Sequence, residues 1–378
     1  MNPIHIKFTG WLLTALSALM VVPAMVALGY DDYETQIVHN EIPAFIISIV
    51  ITLITGLAFL FASRNATAIK ITVRDGFLMA AGGWVVVGCF STLPYLLSGA
   101  MPSFVDAFFE SMSGITTTGA SVLTDLEQLP RGIMFWRCMT QWIGGMGIIG
   151  LFVAILPALG EGSHNLFRAE IPGGANFEKI TPRIRETARA LWGIYLGISV
   201  LEVICLILAG MPVFDSICHA FTTVSTGGFS LHTKSIGEID SILMQWIFII
   251  FMLLGAINFT LHFRLIKGEG FTYWANEEFR LFSYICGVAV TFLFIDIFFI
   301  DPIDAPIVEV VTDAFFQVAT IITTTGYSSA DYGLWSPFSQ SILFILMFVG
   351  GCAGSTSGSV KVVRHLIASK AIFSELRS

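Results

Sequence analysis

The chain has 378 residues, of which 55% are hydrophobic and only 12% charged, and its mean hydropathy is +0.80. Soluble domains carry about 25% charged residues, so a soluble globular fold is excluded. The net charge of −8 offers no basic excess for nucleic acid, and none is expected as a partner.

In chain order, eight stretches are apolar for long enough to be read as crossing a hydrocarbon core of ~30 Å: 9–29, 42–62, 77–98, 133–157, 190–210, 242–263, 280–299 and 338–365. The first is too long for a signal-peptide core and lacks a small-residue cleavage pattern before "DDYE", so it reads as a retained helix. With the N-terminus in the cytoplasm, only Arg131, Arg137 and Lys234 fall outside, which leaves 16 of the 19 basic residues inside, as the positive-inside rule expects. The outer segments are acidic, with Asp31, Asp32, Glu34, Asp106, Asp125, Glu127, Asp215, Glu238, Asp240, Asp301, Asp304, Asp313 and Asp331. Such a face concentrates cations by its field, although ordinary solvated loop charges account for most of these residues.

A repeat runs through the chain. "DAFFESMSGITTTGAS" (106–121), "DSICHAFTTVSTGGFS" (215–230) and "DAFFQVATIITTTGYS" (313–328) share an aspartate, a glycine 13 residues later and a trailing serine. Each follows a long apolar helix and leads into another. The segment between aspartate and turn would span ~15 Å as a helix, half a bilayer. Asp106, Asp215 and Asp313 are expected as N-caps of these short helices. A helix that starts outside and stops at mid-membrane turns its negative end inward, towards a cation.

Non-helical backbone at that depth must be buried or line a cavity. A turn with aligned carbonyls can replace the hydration shell of an alkali cation, and glycine supplies the positive φ that alignment needs. The candidate ion-binding residues are Thr116, Thr117, Thr118 and Gly119; Ser225, Thr226, Gly227 and Gly228; and Thr323, Thr324, Thr325 and Gly326. Small-residue motifs also pack membrane helices, but three copies at one fixed spacing favour the ion site.

On these residues, and on "QWIGGMGII" (141–149), "TPRIRETARALW" (181–192) and "GGCAGSTSGSVKVVR" (350–364), the chain resembles the Trk/Ktr/HKT superfamily of potassium transporters, most closely its Trk branch. The resemblance implies an all-α membrane protein of helix–pore-helix–helix repeats around a central pore, with two extra N-terminal helices. It implies potassium uptake across the bacterial inner membrane, a homodimer, and a cytosolic nucleotide-binding regulatory subunit; potassium is the cargo and no cofactor or enzymatic chemistry is expected. Glycine rather than serine at Gly119 implies potassium over sodium. The expected organisation is 1–75 for the extra helices, 76–158 for the first repeat, 159–186 for a cytoplasmic linker, 187–268 for the second repeat and 269–378 for the third. The resemblance implies four repeats and this sequence carries three filter turns. Either it is part of a longer chain, the favoured reading since an incomplete filter leaves backbone polar groups facing lipid, or the protein lacks the last quarter of the pore.

Four glycines and four Ser/Thr within 350–359 make a continuous helix unfavourable. Gly350, Gly351, Gly354, Ser355, Thr356, Ser357 and Gly358 are the candidate gating loop, with tight helix packing as the competing reading. Lys361 and Arg364 are either an electrostatic element at the cytosolic mouth or, the safer reading, plain positive-inside residues. The polar segment 159–189 either docks a regulator or is a plain linker. Glu202, alone in an apolar helix, is either a coupling carboxylate or a structural one, and a symporter coupled to protons or sodium is the alternative to a channel. Asp296 is expected at the membrane interface. The six cysteines form no metal-ligand spacing, and the seven histidines match no HExxH or triad pattern; His219 reads as packing within a pore helix.

Overall fold

The computed structural model describes residues 3–30, 41–65, 73–147, 184–270, 272–300 and 305–376. Asp31, Asp32, Glu34, Asp301, Asp304, the stretch 148–157 of the fourth expected span and residues 159–183 of the expected linker lie outside the described residues. The chain divides into two units, 1–189 and 190–378.

In the first unit α1 (Pro3–Leu19) and α2 (Val21–Gly29) form one broken span, followed by α3 (Glu41–Ala62), α4 (Val73–Ser91) and α5 (Leu93–Ser98). Pro23 and Pro94 lack the N–H that would continue the ladder, which accounts for the breaks at Met20 and Thr92. The Ser91 carbonyl at the second break accepts a hydrogen bond from Trp136 Nε1 at 3.1 Å. Helices α1 and α3 approach closely at Gly10 and Gly56, where an added Cβ would lie 2.9 Å from the Gly56 carbonyl oxygen. Small residues let membrane helices meet in this way. The short α6 (Phe104–Ile115) packs against α4 and against α7 (Arg131–Gly145).

Helix α8 (Ile184–Leu208) leads into the second unit. There α9 (Val213–Val224) is followed by α10 (Ile242–Ala256), α11 (Phe259–Ile266) and the single turn α12 (Thr272–Ala275). Then come α13 (Glu277–Ile295), extended by a π turn over Asp296–Ile300, and α14 (Ile307–Ile322), α15 (Pro337–Leu346) and α16 (Val362–Glu375). Phe248, Ile249 and Met252 of α10 pack with Phe316 and Ala319 of α14 in one buried cluster.

Among the described residues, five helical segments are long and apolar enough to span a membrane: Pro3–Gly29, Glu41–Ala62, Arg74–Ser98, Arg189–Leu208 and Glu277–Ile300. They present large exposed apolar side chains such as Ile46, Val50 and Ile54 on α3 and Val200, Ile204 and Leu208 on α8, faces that lipid covers without cost. The fourth expected span runs into 148–157, outside the described residues; its described part is a helix of 15 residues, Arg131–Gly145. The other two are not continuous helices. The sixth is bent by 99° between Ala256 and Phe259, because Asn258 caps a new helix by accepting from Thr260 N at 2.8 Å. The eighth stops as a regular helix at Leu346, and its glycine-rich continuation is a loop.

Candidate cation-conduction site

Three short helices, α6, α9 and α14, end at the three Thr/Gly turns, with Thr116, Ser225 and Thr323 as their C-caps. The turns share one backbone conformation. Gly119, Gly228 and Gly326 have φ of 76°, 75° and 84°, as a glycine-dependent turn requires. The threonine two residues earlier is also left-handed in each case: Thr117 at 55°, Thr226 at 52° and Thr324 at 59°. A β-branched residue pays for that region in strain, so the sequence alone gave no reason to expect it.

The amides of each turn point back into its own helix. Thr118 N donates to Ser113 O, Gly227 N to Thr222 O and Thr325 N to Thr320 O, each at 2.9 Å. Gly228 N and Gly326 N reach the same two acceptors, Thr222 O and Thr320 O, at 3.2 Å. In a trans peptide the carbonyl lies opposite the following N–H. The carbonyls of Thr117, Thr226, Gly227, Thr324 and Thr325 therefore face away from the helices, as a carbonyl cage for a dehydrated cation demands. In the second unit two turns adjoin: a Cβ on Gly228 would fall inside 3.0 Å of the Thr325 carbonyl oxygen.

The turns are supported from behind. Gly144 on α7 lies so close to the Ile115 carbonyl, and Gly255 on α10 to the Val224 carbonyl, that neither has room for a side chain without displacement. Glu110, fully buried on α6, receives Arg137 Nε at 2.6 Å, Ser121 Oγ at 2.9 Å and Val122 N at 3.1 Å. It thereby fastens the chain leaving the first turn. Arg137, expected as an outer basic residue, is instead half of a buried ion pair at 1% exposure. The equivalent positions four residues past each aspartate hold His219 and Gln317. Gln317 Nε2 donates to Ala330 O at 3.3 Å, and His219 Nδ1 donates to Asp215 O at 2.9 Å while its ring stacks beside His232. A polar residue at the same register of three apolar helices was the signal for this position.

The aspartates themselves are not N-caps. Ser103 caps α6 and its hydroxyl accepts from Asp106 N; Pro212 and Pro306 occupy the cap positions of α9 and α14. Asp106 and Asp215 lie in the first turn, where a negative charge still suits the helix dipole. Asp313 lies farther along because α14 starts at Ile307, and it accepts a 3.4 Å bond from Ser329.

The candidate gating loop lies directly against the two turns of the second unit. Thr356 Oγ1 lies 3.0 Å from both Val224 O and Gly255 O, which share its one hydroxyl proton, and Gly358 N donates to Thr324 Oγ1 at 2.6 Å. Its base is zipped by Gly350 N to Val360 O at 3.0 Å and Val362 N to Gly351 O at 3.2 Å. Glu278 of α13 accepts from Ala353 N at 2.6 Å and Val363 N at 3.1 Å, holding both limbs. Lys361, which follows the loop, is buried at 5% exposure, and its ammonium donates to the carbonyls of Ser355 and Ser357. Asp296 is corrected: it is 1% exposed and accepts from Ser336 and Ser339, tying the end of α13 to the start of α15. Glu202 is fully buried on α8; among the described residues no donor lies within ordinary hydrogen-bond distance of its carboxylate oxygens, and the Thr223 hydroxyl is its polar neighbour.

Spanning helices, short helices that stop at left-handed Thr/Gly turns, and an irregular loop beneath two of those turns define an all-α multi-pass membrane protein of the re-entrant pore-helix class. Residues 41–378 match the family model TrkH, described as a cation transport protein. The chain belongs to that family, which is one of transporters and not of enzymes. It is 41% identical over 370 residues to the Trk system potassium uptake protein TrkH of Vibrio parahaemolyticus, covering 96% of this chain and 74% of that protein. To TrkG of Escherichia coli, also called a Trk system potassium uptake protein, it is 35% identical over 98% of this chain and 76% of the relative. The crystal structure of the potassium transporter TrkH from Vibrio parahaemolyticus superposes with a TM-score of 0.85 at 38% identity, covering 98% of this chain and 75% of that one.

Proposed function

We propose that this chain takes up potassium. Cations enter from an acidic outer face, lose water in a filter built from the carbonyls of Thr117–Thr118, Thr226–Gly227 and Thr324–Thr325, and pass a gate formed by 350–358. The observation that carries this reading is the shared left-handed Thr and Gly pair in all three turns, since packing alone gives no reason to repeat a strained backbone. No covalent step is required: the membrane potential supplies ~2.3 kcal/mol per charge for each ~100 mV.

The rest of the reading belongs to the same proposal. The N-terminus is cytoplasmic, the membrane is the bacterial inner membrane, and the repeats are bounded as the sequence suggests. The protein forms a homodimer and a cytosolic nucleotide-binding subunit moves the loop. One observation favours coupled transport instead, namely the fully buried carboxylate of Glu202 on an apolar helix, which suits a proton or sodium carrier.

Expression in a bacterial strain stripped of its potassium uptake systems tests the proposal. Restored growth at limiting potassium, lost on substitution of the turn glycines, is expected. Normal membrane expression with no growth and no potassium accumulation would refute it.

A further inference from the structure

Tyr327 follows directly on Gly326, the last residue of the third turn, and is 2% exposed. Its hydroxyl oxygen lies 2.5 Å from Thr222 Oγ1 and 3.1 Å from Thr223 Oγ1, and donates to the His219 carbonyl at 3.3 Å. All three partners are on α9, the short helix that carries the second turn. The ring is held edge-on to Phe248, with centroids 5.8 Å apart, and beside His219.

Thr222 is where the two turns meet. Its carbonyl accepts the amides of Gly227 and Gly228 and so shapes the second turn; its hydroxyl meets the side chain that leaves the third. The third turn is fastened at its other edge as well, by Ser328 N to Ser235 Oγ at 3.2 Å and Gly237 N to Ser328 O at 2.9 Å.

We infer that Tyr327 is a specificity-positioning residue, whose hydroxyl bond to Thr222 sets the spacing between the second and third carbonyl turns and thereby the discrimination of potassium from sodium. The inference rests on the carbonyl-filter reading above. Where selectivity comes from cavity size, a cage that favours the larger ion resists closing on the smaller one, and a buried hydroxyl bridge between two turns supplies that resistance. The residues at the same register in the other turns are Ala120 and Phe229, which carry no hydroxyl, so the brace joins one pair of turns and not all.

The test is paired uptake of labelled rubidium and labelled sodium by the protein in proteoliposomes, for the wild type, Tyr327→Phe, Thr222→Val and the double variant. Loss of one ordinary hydrogen bond corresponds to about a fivefold change in an equilibrium. The sodium-to-rubidium ratio is therefore expected to rise about fivefold in Thr222→Val and at least as much in Tyr327→Phe, which also gives up Thr223 and the His219 carbonyl. It should rise no further in the double variant than in Tyr327→Phe, because the Thr222 bond is already gone there. An unchanged ratio in both single variants, with uptake normal or reduced, would overturn the inference and leave Tyr327 a packing residue. Thr222→Val stands on its own if Tyr327→Phe fails to fold. Absence of rubidium uptake by the wild type would instead defeat the filter reading beneath it.

Discussion

Gly228 sits against the carbonyl oxygen of Thr325, and a side chain there would fall inside 3.0 Å of it. That contact joins two turns 97 residues apart in sequence through their backbones, at a position where φ is 75° and an L side chain is already strained. Gly228→Ser is therefore expected to displace the Thr325 carbonyl and to lower rubidium selectivity over sodium by at least tenfold, measured as the ratio of uptake rates. A serine variant with unaltered selectivity would show that these carbonyls do not contact the ion.

The same logic applies in the first unit. Gly144 faces the Ile115 carbonyl with no space for a methyl group, whereas Gly193 on α8 has nothing within 4 Å of an added Cβ. Gly144→Ala should destabilise the detergent-solubilised protein by about 1–3 kcal/mol, the usual cost of overpacking. Gly193→Ala should leave thermal stability unchanged or raise it slightly, as alanine does in a helix. Equal melting behaviour of the two variants would contradict the assigned packing.

Breaking the Glu110–Arg137 pair leaves one buried charge without its partner, which costs about 3–5 kcal/mol. Arg137→Met and Glu110→Gln should each reduce folded yield severely. The double variant should recover much of it, since replacing both members of a buried pair is far milder. Stability equal to that of the singles in the double variant would argue against direct coupling.

Glu278 holds both limbs of the gating loop. Glu278→Ala leaves the amides of Ala353 and Val363 without this acceptor and should free the loop from the turns above it. Cation leak in the absence of any regulator is expected to increase, read as basal rubidium flux into proteoliposomes. Flux at or below the wild-type level would mean that the loop is not what closes the path.

For Glu202 the two transport readings diverge. Under simple conduction, a pH gradient at clamped membrane potential drives no uptake, and Glu202→Gln retains selective flux. Uptake driven by the pH gradient and abolished by Glu202→Gln would establish coupling through that carboxylate.

Much of the site was legible because its chemistry repeats. The 13-residue interval from Asp106, Asp215 and Asp313 to the turn glycines located all three short helices and their ends. The caps were misassigned because an aspartate inside the first turn and one at the cap differ by only a few residues in sequence, and Ser103, Pro212 and Pro306 sit outside the repeated block. The irregular loop at 350–358 followed from glycine and serine content, but its anchors did not: Glu278 lies some 75 residues earlier and reads locally as an ordinary helix-start carboxylate. The burial of Arg137 and Lys361 is invisible to the positive-inside rule, which counts basic residues without knowing which are buried. The left-handed threonines were illegible because β-branched residues rarely adopt that conformation, and only the surrounding hydrogen bonds impose it.

Rubidium uptake into proteoliposomes holding this protein under an inside-negative potential, with potassium or sodium added as competitor, decides whether the three turns form a cation pathway selective for potassium. Saturable uptake is expected, suppressed by potassium at far lower concentration than by sodium. Correctly folded protein that carries no rubidium, or in which sodium competes as well as potassium, would refute that pathway.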